Sequence, residues 1–329
     1  MQERPRCAVC DSSTTRPLVV RKGYHVVRCR QCGLVYISPR PRNRDHIESL
    51  YTNETYCDRQ ILHAGRAGRV GEAHWRLNEV ERHAARRGRL LDVGCSAASF
   101  LLAARGRGWD VAGIDISAGA IEYASSVHGL NATVGTLEEA SFPEGSFDVV
   151  TVFECIEHMR HPGEALRAAS RVLKKHGLLV ITTPNIDGLF PRVTYRLLAQ
   201  TIGAWEHPTP PHHLYQFSLR TLGALLGKTG FEVVESKTRP MGLRYTVRQM
   251  EGAIIDALKR RMAIDPTPGH ASTAKRSDAA RAGGRPTFWR RASRACIGAF
   301  CWSVSVALYA IPVGRLGLGD SMIVVARKS

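Results

Sequence analysis

Arg89-Leu90-Leu91-Asp92-Val93-Gly94-Cys95-Ser96-Ala97-Ala98 is the stretch on which the fold turns. Leu90, Leu91 and Val93 form an apolar run too short for a helix and closed by a turn residue, the pattern of a strand buried on both faces of a parallel sheet. The small residues after Gly94 let the backbone approach a ligand, and Ser99-Phe100-Leu101-Leu102-Ala103-Ala104 then opens a helix. Working outward, a second strand over residues 109–114 ends at Asp115, and further strands fit 132–134, 147–152 and 178–182. Helical stretches separate them. This alternation predicts an α/β fold with a doubly wound, mostly parallel sheet. Ligands bind such sheets at the carboxyl ends of the strands, near the switch point. Asp115, 23 residues after Asp92, is placed there to accept both hydroxyls of a ribose.

A dinucleotide-binding turn would read GxGxxG, and here two of the three glycines are replaced. The turn instead resembles DxGxGxG, the first motif of the class I S-adenosylmethionine-dependent methyltransferases. The resemblance continues in order through Ser146-Phe147-Asp148-Val149-Val150, Glu154-Cys155-Ile156-Glu157-His158 and His176 to Asn185. It extends over His213 to Ser218 and Gly230 to Val234, segments similar to the ubiquinone-type small-molecule branch, and ends at Gly319 to Lys328 as a last, antiparallel strand. The resemblance implies a seven-stranded sheet, S-adenosylmethionine as cofactor, and O- or C-methylation of a small-molecule or lipid-linked acceptor. It assigns the cofactor to Asp92, Gly94, Cys95, Ser96, Asp115, Ile116, Leu137, Phe153 and Glu154. Ser96 and Ala98 stand where the family pattern has glycine. A positive φ at either costs on the order of 1 kcal/mol.

An oxygen acceptor must lose a proton, so a base near neutral pKa is needed. His158 is the first candidate. Glu154, Glu157 and His158 are spaced i, i+3, i+4, one face of a helix if a helix starts here. Such a face orients the imidazole, or holds a divalent ion as the resemblance to catechol-type O-methyltransferases allows. His213, after Pro208-Thr209-Pro210-Pro211, is the second candidate. Both histidines read equally as hydrogen-bonded structural residues.

Cys7-x-x-Cys10 and Cys29-x-x-Cys32 have the spacing of a four-cysteine zinc site. Two tight turns present four thiolates to one tetrahedral ion, which leaves no open position for catalysis. With short strands at 18–20 and 24–27 this predicts a zinc ribbon over 1–38, folding on its own metal. A helical linker over 39–87, the methyltransferase domain over 88–239, a helical insertion over 240–318 and the last strand over 319–329 follow.

The 329 residues carry 46 Lys and Arg against 29 Asp and Glu, a net charge of +17. That balance favours anionic partners, although a GC-rich genome enriches arginine equally well. Ordinary composition excludes a disordered or fibrous chain, the charged start lacks a secretory h-region, and paired CxxC motifs argue against a disulfide framework. A cytoplasmic location is the expectation. Within the insertion, residues 242–264 look helical and 265–286 look like a linker. Between Asp256 and Arg294 lie ten basic and three acidic residues, and 295–314 carries no charge. Twenty uncharged residues reach membrane-spanning length, yet about seven residues cannot bring the chain back across ~30 Å to complete the sheet. An interfacial helix giving peripheral membrane association through 256–314, a lid and a dimer contact remain open. RNA methylation and a non-catalytic zinc module are the alternative functions, and no oligomeric state is legible.

Overall fold

The computed structural model describes residues 2–42, 49–64, 66–202, 205, 207–263, 288–309, 313–314 and 316–329. Residues 2–41 contain five short strands: β1 (Gln2–Glu3), β2 (Thr15–Arg21), β3 (Tyr24–Cys29), β4 (Val35–Ile37) and β5 (Arg40–Pro41). Lys22 and Gly23 both adopt positive φ, the two-residue turn whose twist suits the β2–β3 hairpin. Helices α1 (Glu54–Ala64) and α2 (Ala67–His83) follow. Ala73, Leu77 and Val80 put the apolar stripe of α2 on one face, and that face is buried.

The large sheet begins with β6 (Arg89–Val93). It continues through α3 (Ser99–Gly106), β7 (Asp110–Asp115), α4 (Ala118–His128), β8 (Asn131–Val134), β9 (Phe147–Phe153), α5 (Pro162–Val172) and β10 (Leu173–Pro184). Then come α6 (Leu189–Thr194), which runs on through a π-turn, β11 (Tyr215–Gln216), α7 (Leu219–Lys228), β12 (Phe231–Arg239), α8 (Leu243–Ala263), α9 (Phe288–Tyr309) and β13 (Ser321–Lys328). Seven strands lie in the order β12-β13-β10-β9-β6-β7-β8. All pairs are parallel except those of β13, which runs antiparallel between β10 and β12. β6 lies between β7 and β9, so the strand order reverses beside the Gly94 turn. That crevice is where such a sheet binds ligands.

The expected strands are therefore present, and the last is antiparallel as the family pattern requires. One expectation needs correction. The N-terminal ribbon is not a free-standing unit: β11 supplies the fourth strand of its sheet, pairing Tyr215 with Tyr36 and Gln216 with Val35. Ribbon residues Val27, Leu34, Tyr36 and Ile37 share one core with Val93, Val150, Leu214 and Phe217. The 39–87 segment, read as a helical linker, contains α1 and α2, and it also delivers Tyr51 to the ligand crevice. The 265–286 stretch lies outside the described residues.

Candidate active site

Three left-handed residues within five shape the first turn: Gly94 at φ +79°, Ser96 at +48° and Ala98 at +61°. The Gly94 and Cys95 amides both donate to the Ile114 carbonyl, which folds the turn back over β7. A side chain at Gly94 would put its Cβ 2.5 Å from Cys155 Sγ, so only glycine fits there. The turn also orients Asp115. Ser96 N–H donates to its Oδ2 and Ser117 N–H to its Oδ1, each at 2.9 Å. Each oxygen keeps a lone pair for a further donor. Burial pushes the Asp115 pKa up against these amide bonds. The Ser96 hydroxyl is buried without a hydrogen-bond partner.

Beneath the turn, Asp92 accepts a 2.7 Å bond from Thr151 Oγ1, and burial raises its pKa to about 7. A cavity of about 390 Å³ opens above, and Gly94, Ser96, Asp115, Ile116 and Glu154 are among its walls. Four other sequence candidates support it without lining it. Asp92 and Cys95 are buried under the turn, with Cys95 Sγ against Gly113. Leu137 points into the core while its neighbours Thr136 and Glu138 face the cavity. The Phe153 ring packs edge-on to Phe100, beneath the Arg76 guanidinium.

The segment after β9 is a turn and not the helix expected from its i, i+3, i+4 spacing. Glu154 sits at φ +50°. The Glu157 carbonyl accepts the amides of Leu214 and Tyr215 and so does not continue a helical ladder. The chemistry survives through different geometry. Glu157 Oε2 accepts from Thr183 Oγ1 at 2.8 Å, and its Oε1 lies 3.8 Å from His158 Nε2. His158 Nδ1 is 2.8 Å from the His212 carbonyl and 2.9 Å from Tyr51 Oη. A carbonyl can only accept, so this contact assigns the hydrogen to Nδ1 and leaves a lone pair on Nε2.

His158 lines the cavity, whereas Glu157 and His213 lie behind it. The His213 ring meets that of His158 edge-on at 4.8 Å between centroids. Burial lowers the His158 pKa, and burial followed by the His158 charge lowers that of His213 further. Burial brings Glu157 to about 7, and burial with the Glu157 charge brings Glu154 to about 7. One ligand atom each from Glu157, His158 and His213 lie within 4.8 Å of one another, close enough to share a cation. Sequence reading missed Tyr51, Met159, Arg160 and His161 in the cavity wall, and also half-buried His207, whose pKa desolvation lowers to about 4.

The match that decides the family covers residues 69–236, against the methyltransferase-domain family model. The chain belongs to the class I S-adenosylmethionine-dependent methyltransferases. This methyltransferase is 29% identical over 187 residues to the ubiquinone biosynthesis O-methyltransferase of Burkholderia orbicola, spanning 52% of the chain and 78% of the relative. It is 36% identical over 104 residues to that of Alkalilimnicola ehrlichii, 30% of the chain and 42% of the relative. A Haemonchus contortus phosphoethanolamine N-methyltransferase, solved with phosphomonomethylethanolamine and S-adenosylhomocysteine, shares the fold. Its TM-score is 0.50 at 17% identity, over 89% of this chain and 62% of that one. The methyltransferase's own residues fit S-adenosylmethionine. Gly94, where only glycine fits, Ser96, whose buried hydroxyl lacks a partner, and Asp115, whose carboxylate two amides orient, all line the cavity.

In the ribbon, Cys7 Sγ lies 3.3 Å from Cys32 Sγ and Cys10 Sγ 3.5 Å from Cys29 Sγ. All four sulfurs fall within 4.8 Å of one another. A tetrahedron with ~2.3 Å Zn–S bonds needs S–S separations of about 3.8 Å, so the cluster fits one ion. Burial alone would raise the Cys29 pKa, but the Cys32 and Gln31 amides outweigh it and bring it to about 7. The triad Glu79, His83 and Glu235 is different, because the Lys237 ammonium already bridges its two carboxylates.

Proposed function

We propose that this methyltransferase methylates an oxygen of a small-molecule or lipid-linked acceptor held beside Gly94, with His158 taking the proton. The observation carrying this is His158 in the cavity wall, where the His212 carbonyl holds Nδ1–H and leaves Nε2 as the basic nitrogen. S-adenosylmethionine supplies an activated methyl on a sulfonium, for which alignment matters more than covalent help. The Gly94 turn and Asp115 bind and orient. Burial keeps the imidazole neutral near pH 7, ready to accept a proton. Glu157, 3.8 Å from Nε2, stabilises the imidazolium that results. His213 packs behind His158 and holds its ring angle.

The test is a transfer of labelled methyl into cell extract separated into lipid, RNA and small polar fractions. Label entering the lipid or small polar fraction with wild type, and not with His158→Asn, supports the proposal. Label in RNA refutes it. S-adenosylhomocysteine binding by His158→Asn, measured by calorimetry, shows that the cofactor site is intact.

The four cysteines are assigned a structural zinc, on the sulfur separations given above. The helical insertion supports a membrane-surface location. Among the described residues no helix is long and apolar enough to cross a membrane. Among the described side chains of α9, Cys301 and Ser305 are buried and Phe300, Trp302 and Val306 are exposed. Phe300 joins Leu197 and Leu258 around an apolar groove of about 440 Å³. Arg290, Arg291 and Arg294 precede these residues in the same helix. This composition suits an interfacial helix at an anionic leaflet. Flotation with anionic vesicles should carry wild type upward and leave Phe300→Glu/Trp302→Glu behind. Equal flotation of both would refute the membrane contact.

A further inference from the structure

A second cavity of about 550 Å³ lies between the ribbon and the N-terminus of α5, and nothing in the methyl-transfer scheme uses it. It adjoins the cofactor cavity, because Arg160, His161 and Glu164 line both. Its walls carry the cations Arg4, Arg6, Arg40, Arg160, Arg167 and Lys228. Only three carboxylates, those of Glu3, Asp11 and Glu164, accompany them.

The pairing among these groups leaves positive charge over. Arg40 Nε and Arg160 Nη2 converge on one oxygen, Glu3 Oε1, at 2.7 and 2.6 Å. Two guanidiniums on one carboxylate oxygen are under-neutralised, and a phosphate oxygen would satisfy the same fork. Arg6 pairs with Asp11 at the exposed rim, and Lys228 Nζ donates to the Val9 carbonyl. Among the described residues Arg4 and Arg167 have no carboxylate partner. The eleven-residue helix α5 directs its N-terminus here, with Pro162 at its start and no side-chain cap from His161. Its dipole favours an anion at the same place.

From these observations we infer that the cleft between the ribbon and α5 binds the phosphate or diphosphate group of the acceptor, whose reacting end lies in the adjoining cofactor cavity. The inference rests on the acceptor reading proposed above, and it commits that acceptor to a phosphorylated compound. The concave shape and the three shared wall residues favour a group belonging to a small ligand. A polynucleotide would call for an open basic surface.

The test uses the full chain pre-loaded with S-adenosylhomocysteine and titrated with inorganic pyrophosphate by calorimetry. Saturable binding is expected. Arg4→Gln/Arg167→Gln should weaken it about ten-fold or more through loss of charge-assisted contacts. The same double variant should bind S-adenosylhomocysteine as wild type does, which shows that the fold and the cofactor site are intact. Two further arms separate the sources: competition by a soluble nucleoside diphosphate marks a soluble acceptor, and competition by phosphatidate vesicles marks a lipid. Either result supports the site. Absence of pyrophosphate binding in a wild type that binds S-adenosylhomocysteine would overturn the inference. So would equal binding in the variant, or displacement only by RNA. A wild type that binds no S-adenosylhomocysteine would instead refute the cofactor reading.

Discussion

Replacing Ser96 with glycine should stabilise the unliganded protein and weaken its cofactor affinity, and both effects follow from one turn. Ser96 adopts φ +48°, a conformation costing an L-residue roughly 1–2 kcal/mol. Its hydroxyl is also buried without a partner, a further penalty of about 1–3 kcal/mol. Against these stands the larger chain entropy that glycine loses on folding, about 0.5–1 kcal/mol. The amide of residue 96 survives the substitution, so its bond to Asp115 Oδ2 is kept. The net gain is about 1–4 kcal/mol, which at about 2 °C per kcal/mol for a large domain raises Tm by about 2–8 °C. With the cofactor bound the sign reverses, since Ser96 lines the ligand cavity and a bound cofactor offers its hydroxyl the partner it lacks. Loss of one neutral hydrogen bond of about 0.5–1.5 kcal/mol weakens S-adenosylhomocysteine about two- to twelve-fold. Thermal melts with and without ligand, together with calorimetry, measure both quantities. A Ser96→Gly protein that melts at or below wild type while empty would refute the strain argument. Unchanged affinity would refute the placement of the hydroxyl.

Three further outcomes are expected. Because burial lowers the His158 pKa, the acid limb of kcat/KM should fall below the imidazole's ordinary 6.5, with activity lost as pH drops through it. His158→Asn should remove about 10²–10⁴ of turnover and leave ligand binding intact. Asp92 titrates near 3.8 when unfolded and near 7 when folded, so its carboxyl destabilises the protein increasingly as pH rises across that window. The isosteric Asp92→Asn should therefore gain melting temperature relative to wild type at about pH 8 compared with about pH 4, and a pH-independent difference would contradict this. Chelation, or Cys29→Ser, should loosen β4 and with it the β11 segment bonded to Ile37 and Glu157. Hydrogen exchange across 207–218 should then rise while S-adenosylhomocysteine still binds, and unchanged protection there would break the link.

The sheet was legible because Leu90-Leu91, Val149-Val150 and Leu178 to Ile181 are apolar runs that only a two-sided core can absorb. The cysteine pairs and Asp115 were legible for a similar reason, since their chemistry requires a fixed spacing. The acceptor side was harder to read. Tyr51 sits alone in a polar segment, and nothing local shows that it will meet His158 from across the crevice. At 135–138 the inward and outward faces differ by one residue, so Leu137 enters the core while Thr136 and Glu138 line the wall. The left-handed Glu154 carries no glycine to announce it, and helical spacing misled. The docking of the ribbon onto β11 rests on two residue pairs, Tyr215 with Tyr36 and Gln216 with Val35. Two-residue strands leave no period to detect.

The inner position of β13 bears on how the protein is made. β10 and β12 each present an open edge until Ser321 to Lys328 is inserted between them. At about 5–20 residues per second, the ribosome needs about 4–18 s to pass from the end of β12 to the end of β13. Through that interval the nascent sheet is split into a five-stranded part and a lone strand, each able to pair with another chain. The helical insertion lies between β12 and β13 and lengthens the exposure. A nonsense mutation before Ser321 would therefore do more than trim a tail. It would leave the ribosome releasing an unclosed sheet, a substrate for chaperones and proteases.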